Sequence, residues 1–196
     1  MKRILEIMDT TLRDGEQTSG VSYSPKEKLT IAKLLLDELK IDRIEVASAR
    51  VSDGELNSVK QITSWAKKSK KIKCIEVLTF LDDGKSIKWL LDSGCLVQNL
   101  LTKGSINHLK HQLKKTPSNH FKDILDTVTR AEENGIQTNI YLEDWSNGMK
   151  NSKDYVMDFL DFLNDKSIKR LLLPDTLGIL TQHETYEYIS EIKMKY

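Results

Sequence analysis

The sequence predicts an α/β protein organised on a parallel sheet, and three observations carry that expectation. Short apolar runs alternate with longer amphipathic segments from end to end, the order of repeated strand and helix units. The short runs are near-continuous in apolar character, as strands covered on both faces are. The segments between them open on recognisable helix-start signals.

Taken in order, strands are expected at Ile4–Asp9, Arg43–Ser48, Ile72–Phe80, Leu96–Thr102, Thr138–Glu143 and Arg170–Asp175. Ser24-Pro25-Lys26-Glu27 places a capping side chain first, Pro at the first helical position and Glu three residues after the cap, so amide donors are satisfied and the backbone is preset. Ser52 with Glu55 and Thr181 with Glu184 repeat the box. Thr116-Pro117 opens another helix, and Asn134-Gly135 is a good stop because both residues tolerate left-handed backbone angles. Leu29, Ala32, Leu35, Leu36 and Leu39 share one helical face, which is expected to pack on the sheet. About six strand and helix units result, two fewer than the eight of a closed (β/α)₈ barrel.

Composition narrows the class of function. With 196 residues, 39% of them hydrophobic, the chain is long enough to bury one core. Lys and Arg total 30 against 29 for Asp and Glu, and a net charge of +1 offers no broad field for nucleic acid or a membrane surface. A small-molecule partner is expected instead. The lysine-rich stretch from Lys67 to Lys73 falls between a helix and a strand and is assigned to a solvated turn. Cys74 and Cys95 lie far apart and form neither a disulfide framework nor a close zinc pair, so they are expected as reduced thiols in a cytoplasmic protein. Glu6 breaks the apolar run after the first basic pair, so no signal peptide is expected, and no uncharged stretch of roughly 18 apolar residues is present to span a membrane.

In parallel α/β proteins reactive groups gather at the carboxyl ends of strands. The first strand ends in Asp9-Thr10-Thr11-Leu12-Arg13-Asp14-Gly15-Glu16-Gln17, the second carries Glu45, the fifth ends in Glu143-Asp144, and the sixth ends in Asp175-Thr176-Leu177-Gly178. Adjacent Arg13 and Asp14 suit a division of labour in which the carboxylate takes a hard cation and the guanidinium grips a carboxylate or an enolate; the plain alternative is an ion pair that pins the loop. Glu45 among apolar neighbours is costly unless paired, protonated or bound to something, which leaves a site role and a satisfied core carboxylate both open. Glu143-Asp144 offers an acid or base, or merely the cap of the next helix. His108 and His111 are three apart, but Lys110, Lys114 and Lys115 around them oppose a cation, so a solvated face is assigned. His120 and His183 fall near helix starts, where polar side chains are common.

The segments DTTLRDGEQTSGVSYSPKEK, RIEVAS, YLEDWS and LPDTLG occur in the order and units of a known group. On them the chain resembles the DRE-TIM metallolyase superfamily, in particular the 2-isopropylmalate synthases and their close relatives. The resemblance implies a (β/α)₈ TIM barrel of which about six of the eight units are present, with residues 1–196 as one catalytic domain, C-terminally incomplete. It implies that Asp14 ligates a divalent metal (Mg, Mn or Zn), that Arg13 binds substrate oxygens and steadies the enolate, and that Gln17 is a pocket residue. It implies further that Glu45 matches a strand-two glutamate implicated in acid-base work in related lyases, that Glu143 is a catalytic strand-five glutamate of the synthases, and that Thr176 hydrogen-bonds the 2-oxo acid.

The chemistry implied is a Claisen condensation of acetyl-CoA with 2-oxoisovalerate, a step of leucine biosynthesis, by an enzyme that is a homodimer when complete. Asn99 stands where the synthases commonly have His, and Tyr141 where they have Ser, so both are assigned to the acyl pocket and put the choice of 2-oxo acid in question. Citramalate synthase is the nearest alternative and homocitrate synthase a further one. The His-x-His that supplies two metal ligands in the family has no counterpart up to Tyr196, so these residues alone are expected to be inactive. A non-catalytic assembly module built on exposed sheet edges is the alternative from another class.

Overall fold

The structure is a computed structural model and describes residues 5–196. Its strands are β1 (Met8–Asp9), β2 (Arg43–Ser48), β3 (Ile75–Thr79), β4 (Val97–Lys103), β5 (Gln137–Glu143) and β6 (Ile168–Leu172). They form one six-stranded sheet in the order β1-β2-β3-β4-β5-β6. The pairs β1/β2, β2/β3 and β5/β6 are parallel, with Asp9 opposite Ile44 and Ile44 opposite Ile75 in register. The helices are α1 (Pro25–Lys33), α2 (Asp53–Lys68), α3 (Lys85–Ser93), α4 (Ile106–His108), α5 (Pro117–Glu133), α6 (Trp145–Asn151), α7 (Lys153–Leu163) and α8 (Gln182–Lys195). This is the repeated strand and helix order of a barrel carrying six of its units.

The helix starts follow the sequence closely. Ser24 with Glu27 and Thr181 with Glu184 form complete capping boxes, and the Ser52 side chain accepts from the Glu55 amide. Gly135 ends the helix before it at φ +69°, the left-handed angle its lack of a side chain permits. Strand ends depart from expectation where local turns intervene. Ile72–Cys74 is a 3₁₀ turn, so β3 starts at Ile75. β6 runs from Ile168 to Leu172 instead of 170–175, because Pro174 has no N–H to give a ladder and the Asp175 carboxylate draws the chain round by accepting from the Ile179 and Leu180 amides at 3.0 and 2.9 Å. Ile4 of the first expected strand lies outside the described residues.

One position on the α1 face is also corrected. Ala32, Leu35 and Leu36 are buried, but Leu39 is 67% exposed. The helix widens over Leu34–Glu38, where the Leu39 amide donates to the Leu34 carbonyl, and the slower winding carries Leu39 off the face.

The chain divides into two compact units. The first holds residues through Asn99 together with Arg130–Gln137. Its core is built from Leu12, Ile44, Val46, Val59, Ile62, Ile75, Val77 and Leu90, all at most 1% exposed. The second holds Leu100–Thr129 and Thr138–Tyr196. Its core centres on Leu100, Ile124, Ile140, Leu142, Val156 and Phe159, beside stacked Phe121, Tyr155 and Phe162. In this unit the α6 backbone meets the loop after β4 directly: a Cβ at Gly148 would stand 2.0 Å from the Gly104 carbonyl, and one at Gly104 would stand 2.6 Å from the Leu142 carbonyl.

Candidate active-site residues

In the first unit the turn after β1 is wound on one carbonyl. The Arg13, Asp14 and Gly15 amides all donate to the Thr10 carbonyl, while Asp9 accepts from the Thr11 amide and hydroxyl. This compact turn places Arg13 over β2. The Arg13 Nε donates to Glu45 Oε2 at 2.5 Å, Nη1 donates to Asp14 Oδ1 at 2.8 Å, and Asn99 Nδ2 donates to the other Glu45 oxygen, Oε1, at 2.7 Å. Glu45 is fully enclosed, and burial pushes its carboxyl above the usual carboxylate range against the opposing pull of Arg13 and Asn99. Each Glu45 oxygen is thus bonded, and the carboxylate fixes the plane of the Arg13 guanidinium.

Arg13 and Gln17 line a cleft of about 330 Å³ with Leu12, Glu16, Ala47, Ser48 and neighbours from the start of α2. It opens at the carboxyl ends of β1 and β2, where this architecture keeps its chemistry. Asn99 is buried behind Glu45. The Asp14 side chain is 62% exposed, one oxygen turned to Arg13, which fits a single position in the shell of a hard cation. No three His, Cys, Asp or Glu side chains are grouped to hold a metal ion among the described residues.

The second unit carries the other predicted residues. Glu143 ends β5 and pairs with Lys103, which ends β4. The neighbouring Asp144 adopts left-handed angles at φ +64° and is 1% exposed. Its carboxylate accepts from Ser105 Oγ at 2.5 Å and Asn147 Nδ2 at 2.7 Å, and His108 Nε2 stands 3.5 Å away. Its amide donates to Thr176 Oγ1 at 3.0 Å, which fixes that exposed side chain. The Tyr141 carbonyl accepts from the Thr102 hydroxyl at 2.6 Å. The Lys103 backbone is held on both sides, its amide donating to His120 Nε2 and its carbonyl accepting from the Tyr155 hydroxyl. His120, near the start of α5, is fully buried, and desolvation drives its pKa down to about 4, so the imidazole is neutral. A cleft of about 490 Å³ lies between Ser105–Asn107 and Asn147–Ser152, edged by Lys110 and His111.

The structure therefore gathers Arg13, Asp14, Gln17, Glu45 and Asn99 in one unit and Glu143, Tyr141 and Thr176 in the other. Sequence reasoning passed over Lys28, Lys103 and the convergence on Asp144. For Lys28 a signal existed: it shares its helical phase with Ala32 and Leu35, a position where a solvated lysine is out of place.

A model of the HMGL-like family matches residues 4–196. The chain belongs to the HMGL-like family. Among its relatives, a putative (R)-citramalate synthase of Methanothermobacter thermautotrophicus is 35% identical over 192 residues, covering 94% of this chain and 35% of that protein. A 2-isopropylmalate synthase of Caldanaerobacter subterraneus is 30% identical, covering 95% of this chain and 46% of that protein. This HMGL-like chain therefore spans about a third to a half of the length of these curated relatives. The solved HMG-CoA lyase of Bacillus subtilis superposes with a TM-score of 0.69 at 16% identity, over 97% of this chain and 64% of that one, which establishes the shared fold. The fold is that of a partial TIM barrel. No helix among the described residues is long and apolar enough to cross a membrane.

Proposed function

We propose that the full-length protein is an acyltransferase that condenses acetyl-CoA with a 2-oxo acid, 2-oxoisovalerate in the first instance, as a cytoplasmic homodimer in leucine biosynthesis. The observation that carries this reading is the Arg13 guanidinium, held in one plane by Glu45 and Asp14 at the edge of a strand-end cleft. A planar donor fork fixed in advance recognises the carboxylate or the developing oxyanion of a 2-oxo acid without reorganising. Gln17 contributes a polar wall to the same cleft.

Glu45 serves this chemistry through Arg13. Glu143, paired with Lys103, is the carboxylate proposed for acid-base work. Thr176 accepts from the Asp144 amide, so its own O–H remains a donor, the role proposed for it toward the 2-oxo acid. Asn99 is proposed to shape the acyl pocket from behind Glu45. Asp14 is proposed as one ligand to a divalent metal. When bound, such an ion polarises the 2-oxo group.

A second reading, citramalate synthesis from pyruvate, is favoured by the 35% identical relative. Thiol release from acetyl-CoA by the full-length protein, with a divalent ion and 2-oxoisovalerate, pyruvate or 2-oxoglutarate in turn, tests both. Fastest release with 2-oxoisovalerate is expected. A clear preference for pyruvate replaces the isopropylmalate assignment, and no release with any 2-oxo acid removes the synthase reading.

A further inference from the structure

Lys28 is 0% exposed, an unusual place for a lysine side chain, and its Nζ is met by two carboxylates. Nζ bonds both oxygens of Glu55 at 2.6 and 2.8 Å and pairs with Glu16 Oε2. The second Glu16 oxygen accepts from the Tyr23 amide at 3.0 Å, and the Glu55 amide is held by Ser52 Oγ at 3.1 Å. One buried cation thus joins the turn that carries Arg13 and Gln17, the strand-like segment at Tyr23 and the first turn of α2. Glu16, Gln17, Ser52 and Glu55 line the cleft, while Lys28 lies beneath them.

We propose that Lys28 is a positioning residue that sets the width of this cleft, tying the Arg13–Gln17 turn on one wall to α2 on the other. The inference deepens the condensation reading and rests on it for its catalytic consequence. Lys28 touches no substrate. It acts because one compact ammonium hydrogen-bonds Glu55 and ion-pairs Glu16 at once, something neither an apolar chain nor the planar fork of arginine reproduces. With the tie cut, Glu16 and Glu55 repel each other across the cleft, and Arg13 moves with its turn.

The test uses the full-length protein and two variants. Lys28→Met removes the cation. Glu16→Gln keeps the acceptor for the Tyr23 amide and removes only the charge that pairs with Lys28, so it spares the fold. Hydrogen exchange is followed at the Gln17, Thr18 and Val21 amides, each of which is bonded within the turn, with the Ala49 amide after β2 as the internal control. Exchange of the turn amides is expected to quicken about tenfold in both variants while Ala49 is unchanged. In the thiol-release assay kcat/KM for the 2-oxo acid is expected to fall on the order of 100-fold in Lys28→Met, and Lys28→Arg is expected not to restore it. Turn exchange and kcat/KM at wild-type levels in Glu16→Gln, or quickening of Ala49 together with the turn, would show Lys28 to be general scaffolding and overturn the proposal. If the wild-type protein releases no thiol with any 2-oxo acid, the condensation reading fails, and the exchange pattern alone still decides whether Lys28 holds the turn.

Discussion

Glu45 and Glu143 are both strand glutamates from motifs of the same family, yet they are held in opposite ways. Glu45 sits inside β2 with no exposed surface, both oxygens bonded, one of them to the side chain of Arg13. Glu143 ends β5 with its side chain 25% exposed and pairs with Lys103. A carboxylate that is enclosed and saturated can orient a neighbour but cannot exchange a proton with an incoming substrate. One that is partly exposed, as Glu143 is, can be reached. The difference supports the roles proposed above, Glu45 holding Arg13 and Glu143 moving the proton.

The sharpest way to break this contrast is Glu143→Gln in the full-length protein. Loss of a proton-transferring carboxylate is expected to lower kcat on the order of 1000-fold, whereas loss of a partly exposed ion pair changes stability by less than about 1 kcal/mol. Steady-state thiol release and urea unfolding, run side by side, check it. Undiminished turnover with a large loss of stability would reverse the roles drawn above.

Glu45→Ala addresses the other half. It leaves the Arg13 guanidinium without its buried partner and Asn99 without its acceptor, and is expected to remove about 4 kcal/mol from the unfolding free energy. A change below about 1 kcal/mol would mean that Arg13 finds its place without Glu45.

Acid should separate the two regions as well. His120 holds the Lys103 amide, and so the partner of Glu143, only as a neutral imidazole, with Asp123 favouring its proton and Lys115 and Lys103 opposing it. Its folded pKa of about 4 lies below the ordinary 6.5, so the unfolded chain binds a proton that the folded one refuses. The stability linked to it is complete above pH 6.5 and is lost as pH falls toward 4, on the order of 3 kcal/mol in all. His120→Gln, which keeps an acceptor and does not titrate, should flatten that part of the pH profile in urea unfolding. An unchanged slope would mean that His120 is already solvated enough to be protonated.

Much of the scaffold was legible because its signals are local. The bounds of β2 and the three capping residues follow from neighbours within a few positions, and the structure reproduces them. The departures have local causes too, yet ones that periodicity does not encode: the 3₁₀ turn before β3, the widened turn at Leu34–Glu38, and Pro174. The candidate residues were legible through motifs. What holds them was not, since the Asn99 to Glu45 bond joins residues 54 apart and the Lys28 to Glu55 bond residues 27 apart. The burial of His120 was not legible either, because nothing in its own helix records the Lys103 backbone it meets.

The contact between Gly104 and Gly148 carries a consequence for how this protein can change over generations. There the polypeptide spine of a helix rests on a loop carbonyl with no side chain between them, so the spacing is set by main-chain atoms that no codon alters. Variation on either side must travel around this point. A side chain at Gly104 or Gly148 would therefore push the segments ending in Lys103 and beginning at Asp144 apart, whereas changes elsewhere in them leave that spacing alone.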